Sequence, residues 1–81
     1  MSLKEEFLEV FLEISNEIHA QGYRAIIDWV NKKKEDGFIN KKEVKEFTEV
    51  INKRNKAAHS ETETVSEKDL ESAKKLLKLV K

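Results

Sequence analysis

Cysteine and proline are both absent from this chain, and glycine occurs only at Gly22 and Gly37. Without cysteine there is no disulfide to staple the fold and no thiolate zinc site. Without proline, and with charged helix formers throughout, little apart from the two glycines interrupts a helix. No alternating apolar–polar segment marks a strand. No apolar run approaches the ~20 residues of a membrane span. Acids follow Lys4 at once, so the N-terminus lacks the basic-then-apolar order of a signal peptide. Net charge is missing too, because sixteen basic and sixteen acidic residues cancel. Non-specific affinity for nucleic acid comes from phosphate neutralisation, so a neutral chain is not a general nucleic-acid binder. These absences lead to the expectation of a soluble cytoplasmic protein, all-α, with no membrane partner, metal or cofactor.

The 81 residues form one domain, 1–81. A chain this short buries a small core, so its stability is modest unless it pairs with something. The charge is unevenly spread. Residues 39–56 hold six basic and three acidic side chains, whereas the segments on either side are net acidic.

Apolar spacing predicts four helices. The first runs from about Ser2 to Gln21, with Leu3, Phe7, Phe11, Ile14 and Ile18 as one stripe. Leu8, Val10 and Leu12 widen the stripe beyond what one partner helix covers, which points to a second subunit. His19 reads as a helix-terminal residue favoured by the dipole. Gly22 reads as the stop signal. A second helix spans about Tyr23 to Glu35, with Tyr23, Ile26, Ile27 and Val30 inward and Trp29 at the stripe's edge as a core or interface anchor. Asp36-Gly37 is the turn. Asn40 then caps a third helix, with Glu43 three residues on. Its stripe is Val44, Phe47, Ile51, Arg54 and Ala58. A polar, acidic loop from Ser60 to Val65 precedes a fourth helix capped by Ser66 and Asp69, with Leu70, Ala73, Leu77 and Val80 inward. The expected architecture is a small four-helix up-down bundle.

Residues 32–43 partly mimic a calcium loop, with Asp36, Gly37, Ile39 and Glu43 at fitting positions. Calcium needs oxygen ligands at the first and third positions as well. Lys32 and Lys34 stand there, and two cations repel a divalent ion. No calcium binding is expected.

The run Arg54-Asn55-Lys56-Ala57-Ala58-His59 carries the most chemistry. A guanidinium on a buried stripe is expensive unless it meets a carboxylate, a partner chain or a ligand anion. Alternatively Arg54 snorkels outward at the helix end. In the first case Arg54 is a candidate phosphate clamp, Asn55 a polar positioner, and His59 an imidazole that can give or take a proton. On an ideal helix, residues five apart diverge by roughly 140°. Arg54 and His59 therefore converge only if the helix loosens near Ala58 or a partner subunit supplies one of them. Asn55 and His59, four apart, share a face.

This hexapeptide, the polar loop after it and the capped helix beginning Val65-Ser66-Glu67-Lys68-Asp69-Leu70 resemble the motif region of the HEPN superfamily. These are small helical domains, usually dimeric, with an Arg, four to six residues, then His. The resemblance covers about residues 40–80 and implies a HEPN-like bundle that forms a homodimer. It implies a metal-independent endoribonuclease of toxin–antitoxin or phage-defence type, with RNA as substrate and an antitoxin or other protein as partner. By the same resemblance Arg54 binds the scissile phosphate, His59 is general acid or base, and Asn55 orients the site. The product would be a 2′,3′-cyclic phosphate. Some members are non-catalytic dimerisation or protein-interaction modules, which is the alternative. A third reading is DNA binding by the helix 2–turn–helix 3 unit, with Asn40, Asn52 and lysines as the available base readers.

Overall fold

The structure, a computed structural model, describes residues 2–20, 22–60 and 64–81, without the Tyr23 side chain. The expected inward facing of Tyr23, and the middle of the loop before the fourth helix, lie outside the described residues. Four helices make the fold: α1 (Leu3–Ile18), α2 (Tyr23–Glu35), α3 (Lys41–His59) and α4 (Glu67–Val80).

Local chemistry sets most of the boundaries. The Ser2 hydroxyl accepts the Glu5 N–H at the start of α1. Asn40 accepts the Glu43 N–H at 2.8 Å, and the Glu43 carboxylate accepts the Asn40 N–H at 3.2 Å. Ser66 and Asp69 repeat the reciprocal pair at α4, at 3.2 and 3.0 Å. Each box satisfies two donors that a helix end otherwise leaves open. At the far end of α2, Gly37 takes a φ of 83° and the Phe38 N–H returns to the Lys33 carbonyl at 2.9 Å. That closure needs a left-handed residue, which glycine supplies without strain.

The end of α1 differs from the expectation. The helix stops at Ile18, and His19 takes the left-handed conformation, with φ 54°. The His19 and Ala20 N–H groups both donate to the Ser15 carbonyl. Histidine thus fills the position usually held by glycine. Gly22 instead precedes α2 as its N-cap, with φ 84° and no side chain to offer its N–H groups.

The helices form a bundle centred on α3, which packs against α1, α2 and α4, while α1 also lies along α4. Phe7, Phe11, Ile14, Ile26, Val30, Phe47, Ile51 and Leu76 fill the interior. Phe7 and Phe11 meet edge-to-face, with centroids 5.1 Å apart. The apolar stripes mostly face inward as expected, but Leu3 is 37% exposed, Leu77 and Val80 are only half-buried, and two further positions differ. Ala57 is buried and Ala58 is exposed, because the stripe continues from Val50 and Arg54 at steps of seven and three residues. Leu12 points out and is 60% exposed. Polar ties join the helices at the surface, including Lys74–Glu6 between α4 and α1 at 3.2 Å. No helix is long and apolar enough to cross a membrane, judged over the described residues.

Candidate functional site

Arg54 sits in the penultimate turns of α3, on the side that meets α1. The side chain is half-buried, and its Nε is buried without a hydrogen-bond partner among the described residues. No carboxylate pairs with it among the described residues. A buried donor left unsatisfied costs about 1–3 kcal/mol, and more when it is charged. Arg54 borders an open cleft of about 500 Å³ lined also by Leu12, Ser15, Asn16, His19, Ala20 and Gly22 among the described residues. Those described residues contribute one permanent cation, one imidazole, one amide, one hydroxyl and no acid. That set of groups suits an oxyanion.

Asn55 and His59 are not part of this cleft wall. Asn55 is half-buried and His59 is exposed. The helix stays regular through His59, with no loosening near Ala58. The ideal divergence of roughly 140° between Arg54 and His59 therefore stands within one protomer. The residue after His59 is tied elsewhere. The Lys4 ammonium, at the opposite end of α1 from the cleft, donates to the Ser60 carbonyl at 2.8 Å. So one chain separates the members of the hexapeptide. Arg54 faces the end of α1, and His59 leaves α3 beside the beginning of α1.

His19 is what the sequence reading assigned only to helix termination. It does terminate α1, and it also stands in the wall of the Arg54 cleft. The available signal was that this is one of only two histidines in the chain.

A second groove, of about 550 Å³, runs between α3 and α4 and is lined by Lys42, Lys45, Lys53 and Lys68 together with Glu46, Glu49 and Asp69. Two of its carboxylates are engaged. Lys53 approaches Asp69 at 3.8 Å, and the Ser72 hydroxyl donates to Glu46 at 2.8 Å while Lys75 donates to it at 3.2 Å. The Ser72 hydrogen bond, aided by Lys75, lowers the Glu46 pKa against the opposing effect of burial. A carboxyl lowered in the folded state adds stability above its unfolded pKa, and that stability is lost as pH falls through the folded value. Glu46→Gln should therefore melt lower than wild type at pH 7, and the two should converge as acid protonates Glu46 below the ordinary carboxylate range. Screening at this half-exposed site limits the difference to about 1 kcal/mol or less. Thermal melts across pH test this, and a gap that does not narrow in acid contradicts it.

No group of three or more His, Asp or Glu side chains forms a metal site among the described residues. Asn40, the foremost candidate base reader, is occupied by its capping box. No protein-family model, curated protein or solved structure matches the chain.

Proposed function

We propose that the chain is a HEPN-like domain that works as a homodimer and cleaves RNA without a metal ion. The observation that carries this reading is Arg54, a half-buried cation with an unpartnered Nε beside an open cleft that has no acid among its described lining residues. An arginine kept uncompensated at a cost to stability is suited to an anionic ligand, and a phosphodiester fits the resemblance of the hexapeptide. In the reaction the RNA 2′-hydroxyl gives its proton to a base and attacks phosphorus. The bond to the 5′ oxygen breaks, and that oxygen takes a proton from an acid. The products are a 2′,3′-cyclic phosphate and a 5′-hydroxyl. Arg54 stabilises the extra charge on the phosphorane. Since Arg54 and His59 diverge along α3, His59 reaches the phosphate from the partner subunit, with Asn55 on its face of the helix to orient it.

One observation favours the alternative, a non-catalytic dimerisation module. Leu12, 60% exposed, adjoins Arg54 in the same cleft. An apolar side chain beside a cation also suits a protein surface. Incubation of single-stranded RNA with the purified protein in excess chelator separates the two. Cleavage that leaves cyclic phosphate ends supports the enzyme. A dimer that leaves RNA intact over long incubation rejects it in favour of the module.

A further inference from the structure

RNA cleavage of this kind needs both a base and an acid, and His59 can be only one of them. The chain has one other histidine. His19 belongs to α1, far from the hexapeptide in sequence, yet it stands with Arg54 around the same cleft. It is the single non-glycine residue with positive φ among the described residues, in the left-handed position that closes α1. Nearby, α2 begins at Gly22 with no side-chain cap and no acid in its first turn. Its positive end offsets the negative end of α1, so an anion between them is not repelled.

We infer that the Arg54 cleft binds phosphate through groups of one protomer, in which His19, from the C-terminal end of α1, contacts the anion together with Asn16. The guanidinium supplies the charge, and the His19 and Asn16 N–H groups supply directional donors. The site takes a phosphodiester or a free phosphate. It deepens the ribonuclease reading by adding a second imidazole to the site, but phosphate binding itself does not require that reading to hold.

The test is an NMR titration of the dimeric protein with inorganic phosphate, and separately with a single-stranded RNA oligonucleotide. The observed signals are the imidazole of His19 and the Arg54 Nε–H. Variants are His19→Asn, chosen because asparagine tolerates the left-handed backbone, and, as a control outside the site, Lys68→Gln in the groove between α3 and α4. The expected result is saturable movement of His19 and Arg54 with phosphate. Phosphate binding then weakens several-fold in His19→Asn and is unchanged in Lys68→Gln. Movement of Arg54 without His19, with His19→Asn binding like wild type, overturns the inference and leaves the ribonuclease reading intact. Saturable phosphate binding at His19 in a protein that does not cleave RNA upholds the inference and removes the ribonuclease reading. No movement of either residue up to tens of millimolar phosphate, a range far above ordinary site affinities, overturns it outright.

Discussion

Phe11→Ala should lower the melting temperature by roughly 15 to 30 °C. Phe11 is fully buried and stands edge-to-face with Phe7 at 5.1 Å. It belongs to the cluster that joins α1 to the helices around it. Removing a buried phenyl ring costs about 3–5 kcal/mol, because the transfer free energy is lost and a cavity remains. A domain of this length has a total stability of only about 4–12 kcal/mol, so the variant approaches the unfolding threshold. The adjacent residue provides the control. Leu12 is 60% exposed, so Leu12→Ala should shift stability by no more than about 0.5 kcal/mol within a protomer. Any larger effect of Leu12→Ala belongs to self-association, which its concentration dependence reveals. Circular-dichroism melts of both variants test the assignment, and a Phe11→Ala shift below about 5 °C contradicts it.

On the proposed ribonuclease reading, Arg54→Ala and His59→Ala should each reduce RNA cleavage by at least about 100-fold, the usual scale for losing a proton-transfer group or a charge stabiliser. The two variants are then more informative together than apart. Arg54 and His59 diverge on an unbroken α3, so a working site takes them from different protomers. In a mixture, half of the dimers carry one variant chain of each kind, and each of these retains one intact site. Mixing two inactive proteins should therefore restore up to roughly a quarter of wild-type activity. Failure to recover activity, with exchange of subunits demonstrated, places both residues in one protomer. Full activity in either single variant removes that residue from the site.

Much of the fold was legible because its determinants are local. Asn40 with Glu43 and Ser66 with Asp69 are each three residues apart, and their capping bonds form wherever the helix begins. The stripes through Phe7, Phe11 and Ile14 and through Phe47 and Ile51 follow from helical period alone. The burial of Ala57 in place of Ala58 turns on a rotation of one residue about α3, which spacing does not resolve. Spacing places the stop of α1 at Gly22, three residues beyond His19, since the left-handed position is held by a residue that occupies it less often than glycine. The candidate site was half legible. An arginine on an apolar stripe announces an unusual environment from sequence. Its neighbours Ser15, Asn16 and His19 come from another helix, and only tertiary packing brings them beside it.

The uncompensated Arg54 guanidinium is central to both the proposed function and the phosphate site, and thermal melts of wild type and Arg54→Leu, without and with inorganic phosphate, test it most directly. If the residue is held there for an anion, Arg54→Leu melts at or above wild type in the absence of phosphate, because a half-buried cation with an unsatisfied Nε has been replaced by an apolar side chain. Phosphate then raises the wild-type melting temperature by several degrees more than that of the variant, beyond the general stabilisation phosphate gives any protein. If Arg54→Leu melts well below wild type and phosphate moves both curves equally, Arg54 is part of the fold's own support and the cleft is not an anion site.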